Sequence, residues 1–467
     1  MLPLRLNSRH FMRLQEKIEN KIAKIGIIGL GYVGLPLAVE FAKAGFCVTG
    51  FDIDETKVDS INNGISYIPD VSSSDVEKLS RGRRVGHIEE NGVMSSLSGT
   101  SLNATTHFAV LGDMDVAIIC VPTPLKKTKD PDIRFIVAAC ESIAKYLHAE
   151  MLISLESSTY PGTTDELMLP MFQERGFEVG KDFYLCFSPE RVDPGNKKWQ
   201  TRNIPKVIGG ITPACTALGE QLYRHAVDKV VTVEGTRTAE MVKLLENTFR
   251  MVNIGLVNEL AMMCGKMGID IWSVIDAAKT KPFGFMPFYP GPGLGGHCIP
   301  IDPFYFSWKA KQYGLEPRFI ETAGYVNAQM PHYVVRKIQD ALNVNRKCLN
   351  GASIHLIGMA YKKDIDDVRE SPAIDVAHLL VKEGANISYF DPYIPTVHVN
   401  GHTFESVSGC EDYTSYDCVV ILTDHSNIDY RQVFDEAKLI VDTRNAMNYW
   451  LKNDTLTDLT DPKIVRL

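Results

Sequence analysis

Apolar and polar positions follow two regimes along the chain. Short apolar runs at Lys24-Ile25-Gly26-Ile27-Ile28, Cys47-Val48-Thr49-Gly50-Phe51, Asp115 to Val121, Met151 to Leu155 and Tyr184 to Phe187 alternate with helix-periodic stretches at Leu35 to Ala44 and Ile133 to Leu147. Buried strands of a parallel sheet read this way, with helices as the crossovers. From Thr238 to Gly268 the period changes. Ala239, Val242, Leu244, Leu245, Phe249, Val252, Leu256 and Leu260 recur at three- and four-residue spacing, the mark of one long helix. A further helical stretch, about Pro331 to Leu342, precedes a second strand series at Ala352 to Gly358, Asn386 to Asp391, Cys418 to Leu422 and Leu439 to Asp442. The pattern predicts an α/β protein with two Rossmann-like doubly wound domains joined by a long central helix region. The expected divisions are an N-terminal helical arm over 1–20, a first α/β domain over 21–225, a central helical domain over 226–342 and a second α/β domain over 343–467.

Composition narrows the function classes. The chain has 467 residues, 45% of them hydrophobic and 23% charged, as a globular protein of two or three domains would. A net charge of −8 argues against a nucleic-acid binder and supplies no basic stripe for anionic lipid. Ten cysteines are scattered without CxxC pairs or metal-ligand spacing, which points to reduced thiols in a cytoplasmic protein and to no metal site. The first twenty residues lack the apolar core and cleavage site of a secretory signal. No apolar run is long enough to span a membrane.

The first strand runs into Gly29-Leu30-Gly31-Tyr32-Val33-Gly34, a helix follows, and the second strand ends in Asp52. Strand, GxGxxG, helix and an acid about twenty residues on make the complete dinucleotide fingerprint. Its glycines let a pyrophosphate approach the helix N-terminus, where N–H groups favour anions. Asp52 would accept from ribose hydroxyls and repel a 2′-phosphate, which favours NAD over NADP. Thr123, in Pro122-Thr123-Pro124, follows the third apolar run at a strand's carboxyl end, where ligands gather in such sheets.

Other candidates are less specific singly. Tyr289 to Pro303 holds four glycines and four prolines around one thiol, Cys298, with Asp302 four residues on. A stiff loop presenting one cysteine suits a covalent nucleophile, and a buried small hydrophobe is an equal reading of the same residue. Thr159 and Glu190 each follow a strand and could face one crevice, or could be a turn hydroxyl and a solvated acid. Lys243 and Asn247 share a helix face and could donate to a sugar hydroxyl or an oxyanion, or could be a surface lysine beside an unrelated asparagine. The charged loop Tyr361 to Pro372 could hold phosphates or could be solvated surface.

Together Gly29 to Pro36, Glu156 to Gly162, Ala239 to Asn247, Gly295 to Asp302 and Tyr361 to Pro372 resemble, in order, the motifs of the NAD-dependent nucleotide-sugar 6-dehydrogenases. The resemblance runs from about Lys24 to Asn445. It implies an NAD-binding first domain, a central helix used for dimerisation and a second Rossmann-like domain holding the uridine diphosphate. It places Cys298 as nucleophile, Lys243 and Asn247 as stabilisers of oxygen charge, Asp302 beside them to orient or activate water, and Thr159 and Glu190 at a water near the reacting carbon. Glu190, Arg191, Lys243, Asn247, Phe288, Tyr289, Gly291, Gly295, Lys362 and Arg444 would serve the nucleotide-sugar. Gly29, Gly31, Tyr32, Val33, Gly34, Asp52, Thr123 and Arg369 would serve the cofactor. The partners implied are a UDP-sugar and a second copy of the chain, as a homodimer or dimer-based oligomer.

Chemistry makes those roles coherent. An alcohol becomes a carboxylate by two hydride removals, and a thiolate adding to the intermediate aldehyde gives a thiohemiacetal able to lose the second, leaving a thioester for water. Within the family the chain looks most like the branch acting on UDP-N-acetylhexosamines, UDP-N-acetylglucosamine in particular. Glucose-specific members usually carry a further acid where this chain has Pro194, and the run Phe283 to Tyr289 supports the same branch by resemblance. UDP-glucose, UDP-N-acetylmannosamine and a one-step hydroxyacid oxidation stay open as alternatives. The Tyr-x-x-x-Lys spacing of Tyr305 and Lys309, known from short-chain dehydrogenases, reads as a chance match.

Overall fold

The structure, a computed structural model, describes residues 9–81, 101–126, 128–193, 195–196, 198–407, 412–451 and 461–467. Pro194 lies outside the described residues. The chain divides into two compact units, Met1–Glu246 and Asn247–Leu467.

Among the described residues the first unit is built on eight strands: β1 Lys24–Ile28, β2 Cys47–Phe51, β3 Ser101–Thr105, β4 Val116–Ile119, β5 Leu152–Leu155, β6 Tyr184–Phe187, β7 Lys206–Gly210 and β8 Val230–Thr232. Their order is β3-β2-β1-β4-β5-β6-β7-β8, and every neighbouring pair is parallel except β6–β7. The order reverses between β1 and β4, so a crevice opens at the carboxyl ends of those two strands. β4, β5 and β6 are buried along their whole length, which is why they read as apolar runs broken only by Ser154. β3 escapes that reading because Ser-Leu-Asn-Ala-Thr at the sheet edge is half polar. The segment expected as an arm is a helix from Arg9 to Glu19 that buries Phe11, Leu14 and Ile18 in this unit's core. Phe11 meets the Tyr184 ring edge-on at 6.1 Å, and Lys17 pairs with Asp115 at 2.6 Å. Burying three such side chains stabilises the unit by roughly 2 kcal/mol each.

The long helix is Thr236–Met267, within two residues of its expected limits. Ala239 and Leu244 are buried while Phe249, Leu256, Leu260, Met263 and Met267 are exposed, so the helix carries two apolar faces.

The second unit continues with helices Ile271–Ala278, Asp302–Gln312 and Arg318–Val344. The last begins well before Pro331, which sits inside it. Ile320, Ala323, Val326 and Met330 bury one face, and that packing outweighs the stop signal of the proline. Then come β9 Ser353–Ile357, β10 Asn386–Phe390, the hairpin β11 Thr396–Val399 with β12 His402–Glu405, β13 Cys418–Ile421, β14 Ile440–Asp442 and β15 Ile464–Arg466. The sheet is wholly parallel in the order β10-β9-β13-β14-β15, reversing between β9 and β13. Both units are therefore doubly wound, each with its own reversal point. No helix among the described residues is long and apolar enough to cross a membrane.

Candidate active site

The glycines after β1 divide their work. Gly29 has φ +91°, and a Cβ there would lie 2.5 Å from the Cys120 carbonyl oxygen, so it makes the turn. At Gly34 a Cβ would lie 1.8 Å from the Gly29 oxygen, so only glycine lets the helix Gly34–Lys43 press against the turn. At Gly31 a Cβ would meet nothing within 4 Å, so its open side faces away from protein. No side chain caps the helix at Val33, which leaves its N–H groups for an anion. Tyr32 and Val33 pack partly against the core. Asp52, buried at the end of β2, accepts from the Leu30 N–H at 2.9 Å and the Asp54 N–H at 3.1 Å, and lies 3.3 Å from Lys57. Two carboxylate oxygens offer about four acceptor positions, so capacity remains for a ribose. Thr123 is half-buried just past β4. An open glycine, an uncapped helix and an anchored acid fit a dinucleotide.

The ends of β5 and β6 gather a buried charge cluster in the first unit. Glu190 accepts from the Arg191 and Val192 N–H groups at 2.7 Å each, and Lys206 reaches it at 3.2 Å. Lys206 also donates to Glu156 at 2.5 Å, whose other oxygen accepts from the Tyr223 hydroxyl at 2.5 Å. Burial alone would push the Glu190 carboxyl up, but the Lys206 ammonium, the Val192 N–H and the nearby Lys243 charge outweigh it and hold Glu190 below the usual carboxylate range. Glu156, sealed from solvent and repelled by Glu190, is pushed above that range despite Lys206. Of two acids sharing one ammonium, Glu190 is the one held further toward its ionised form. Thr159 is buried beside Thr163, their hydroxyls 2.5 Å apart, in a turn that Glu240 fixes by accepting from the Gly162 and Thr164 N–H groups at 2.7 and 2.9 Å. Arg191 is held by Glu246, at 2.5 Å, and by the Pro205 carbonyl at 2.7 Å. Lys206 was not among the sequence candidates, because a lysine opening a short strand reads as surface.

In the second unit Cys298 is half-buried, not sealed in hydrocarbon. Its carbonyl accepts from the Ile301 and Asp302 N–H groups at 3.1 and 2.8 Å, so the thiol stands on the turn leading into the helix Asp302–Gln312, whose N-terminal dipole favours a thiolate. Asp302 is buried and accepts from the Asn247 amide nitrogen at 2.6 Å, while the Asn247 oxygen accepts from Arg250 at 2.8 Å. The amide is thereby oriented with one N–H still to give. The glycine loop is pinned at both ends. The Gly291 N–H donates to Asn258 at 3.0 Å, and Asn258 in turn donates to Asn327 at 2.9 Å. A Cβ at Gly295 would lie 2.5 Å from Tyr361 Cβ, one at Gly296 2.7 Å from the Tyr361 ring, and the Gly296 N–H donates to the Arg369 carbonyl at 3.1 Å. Tyr305 of the Tyr-x-x-x-Lys spacing is fully buried in the helix that follows.

The loop that receives those glycines lies at the carboxyl end of β9, at this sheet's reversal point. Gly358 repeats the geometry of Gly29, with φ +84° and a Cβ that would lie 2.3 Å from the Thr423 carbonyl oxygen. Asp391, ending β10, accepts from the Met359 and Ala360 N–H groups at 2.6 and 2.9 Å, as Asp52 does from Leu30. His425 lies 3.0 Å from Asp391 and accepts on Nδ1 from the Asp364 N–H at 2.9 Å, so its Nε2 carries the proton. Lys362 is half-buried on this loop. Arg444 follows β14 and stands over Gly291, where a Cβ would lie 2.6 Å from its Nη1, and its buried Nε has no hydrogen-bond partner. A buried guanidinium N–H without an acceptor fits an anionic ligand. Arg369 is engaged bidentately by Asp367 at 2.8 and 2.6 Å. Phe288 meets Phe249 at 5.6 Å, and Tyr289 stacks on Trp272 at 6.1 Å.

The chain matches the UDP-glucose/GDP-mannose dehydrogenase family in three parts: the NAD binding domain over residues 23–72 and 67–227, the central domain over 237–329, and the UDP binding domain over 355–449. It is 34% identical to a UDP-N-acetyl-D-glucosamine 6-dehydrogenase from Pseudomonas aeruginosa, over 87% of this chain and 91% of the relative. It is 33% identical to a UDP-N-acetyl-D-mannosamine dehydrogenase from Methanococcus vannielii, over 93% and 96%. The solved UDP-D-ManNAc dehydrogenase of Pyrococcus horikoshii superposes with a TM-score of 0.78 at 31% identity, covering 91% of this chain and 96% of that one.

Proposed function

This chain belongs to the UDP-glucose/GDP-mannose dehydrogenase family, and from that premise we propose that it oxidises C6 of a UDP-N-acetylhexosamine, most closely UDP-N-acetylglucosamine, to the uronic acid for a surface polysaccharide precursor. The family makes it an NAD-dependent UDP-sugar dehydrogenase, with an NAD-binding and a UDP-binding domain. The acetamido-sugar reading draws support from relatives named for both glucosamine and mannosamine forms. The observation that carries the mechanism is Cys298, half-exposed at a helix N-terminus on a loop pinned from both sides.

Residues 21–225 hold NAD, residues 226–342 carry the chemistry and the dimer contact, and residues 343–467 hold the UDP-sugar. When bound, NAD accepts the hydride that leaves C6 at each oxidation. Lys362 and the unpartnered Nε of Arg444 hold the nucleotide-sugar, with Arg191, Phe288, Tyr289, Gly291 and Gly295 along its path. Cys298 adds to the C6 aldehyde. Lys243 and the second amide N–H of Asn247 hold the resulting oxyanion, and Asp302 fixes the amide. The thioester left after the second hydride departs is cleaved by a water that Thr159 and Glu190 hold, Glu190 taking its proton. Arg369 acts on the cofactor side.

Presenting UDP-glucose, UDP-N-acetylglucosamine, UDP-N-acetylgalactosamine and UDP-N-acetylmannosamine with NAD, and counting NADH per sugar, tests the reading. Two NADH per UDP-N-acetylglucosamine, with the highest kcat/KM of the four, is expected. One NADH per sugar would sink the thioester route, and preference for another sugar would move the specificity.

The exposed face of Phe249, Leu256, Leu260, Met263 and Met267 supports a homodimer closed along the long helix. Leu256→Glu is expected to yield monomers in light scattering, and an unchanged mass would place the dimer contact elsewhere.

A further inference from the structure

The antiparallel pairing of β6 and β7 sets Cys186 opposite Gly210 and Phe187 opposite Gly209. Continued three residues further, the same register sets Glu190 opposite Lys206, which accounts for their 3.2 Å contact. Lys206 thus stands at the carboxyl end of β6 although it opens its own strand. Its ammonium is almost wholly buried, lies 5.4 Å from the Tyr223 ring centroid, and bridges the two acids of the cluster. Glu156 behind it is sealed, held by Lys206 and by Tyr223, whose hydroxyl lies 2.9 Å from Ser154. Glu190 in front has one oxygen fixed by two backbone N–H groups and the other by Lys206.

We propose that Lys206 is a positioning residue for the hydrolytic half of the reaction, a built-in counter-ion that keeps Glu190 ionised and aimed at the attacking water. The proposal rests on the role assigned to Glu190 above. In that step a water O–H gives its proton to Glu190, the water oxygen bonds the acyl carbon, and the C–S bond breaks to return the Cys298 thiolate. A carboxylate pinned at both oxygens accepts the proton without turning first. That transfer removes one negative charge from the triad of two acids and one ammonium. Without the ammonium, two carboxylates would face each other in a site that burial already makes costly for charge, and one would take up a proton at rest. The charged and titratable groups around Glu190 are Lys206 from β7, Glu156 past β5, Lys243 from the long helix, Cys120 at the end of β4, and its neighbour Arg191, which Glu246 neutralises. Lys206 touches the carboxylate at 3.2 Å and Lys243 assists from the helix.

The test follows the acyl-enzyme by intact mass and the pH profile of turnover in Glu190→Gln, Lys206→Met and Lys206→Arg. Glu190→Gln is expected to accumulate the thioester adduct after one sugar. Lys206→Met is expected to accumulate it near neutral pH, with the acid limb of kcat moved upward by about one to three pH units, and Lys206→Arg to restore the limb. If burial of Glu156 without a cation prevents Lys206→Met from folding, Lys206→Met with Glu156→Gln removes both sealed charges and is expected to move the limb the same way. An adduct in Glu190→Gln with an unmoved limb in the folded lysine variants overturns the proposal alone. Wild-type turnover of Glu190→Gln overturns the assignment beneath it.

Discussion

Replacing Cys298 with serine is expected to lower uronic acid formation by on the order of a thousandfold or more, while binding of NAD and UDP-sugar and the unfolding temperature stay near those of the unaltered protein. The thiol is half-exposed on a turn whose shape comes from Gly291, Gly295 and Gly296 and from the N–H groups of Ile301 and Asp302, none of which involves the sulfur. Serine therefore fits. Its hydroxyl, with a far higher pKa than a thiol, is not ionised by a helix dipole at neutral pH, and an ester is a poorer relay than a thioester. Counting NADH per sugar and weighing the product by mass spectrometry checks this. Uronate produced by the variant at the original rate, with two NADH per sugar, would remove the covalent route.

The second large effect separates two glycines three residues apart. Gly34→Ala drives a methyl to within 1.8 Å of the Gly29 oxygen and 3.3 Å of the Cys120 side chain, with backbone on one side and packed core on the other. It is expected to destabilise the first unit by about 1–3 kcal/mol or more, seen as a lowered melting temperature without any ligand. Gly31→Ala meets nothing within 4 Å and needs no left-handed backbone, so the protein should melt as before. Its methyl enters the side open to the pyrophosphate, and the Kd for NAD is expected to rise by roughly a hundredfold, about 2.7 kcal/mol. Calorimetric titration with NAD reads the second effect. If Gly31→Ala binds NAD unchanged, the pyrophosphate does not lie over this turn.

The dinucleotide turn was legible because everything it needs lies within thirty residues: apolar strand, glycines at fixed steps, helix, acid. Steric demand at Gly29 and Gly34 is local, and local demands leave a mark on sequence. Cys298 and Asp302 stand out in the sequence for a local reason too, as a thiol and an acid four residues apart where a glycine- and proline-rich run meets the start of the helix Asp302–Gln312. Lys206 does not. Its meaning comes from an antiparallel register with β6, from Glu156 at the end of β5, and from Tyr223 on a helix between them, and no short-range pattern announces a meeting of that kind. Asp391 carries a local signal of its own, since it ends the second strand of its series as Asp52 does. The sequence shows the helix Arg318–Val344 only from Pro331 on because a proline reads as a start, whereas burial on both sides of it carries the helix through. The N-terminal segment is helical as expected, but it packs into the core and is no arm, because the burial of Phe11, Leu14 and Ile18 depends on Tyr184 and the helix Pro213–Arg224, far along the chain.

Gly295 and Gly296 lie against Tyr361 with no room for a methyl, and Gly296 is hydrogen-bonded to the backbone of Arg369. The two stretches are halves of one moulding, although more than sixty residues of chain separate them. A chimaera that imports the glycine loop of a relative to change its sugar would therefore have to import the stretch from Tyr361 to Pro372 as well. Transplanted alone, the loop would sit on a foreign surface and present its sulfur at the wrong height.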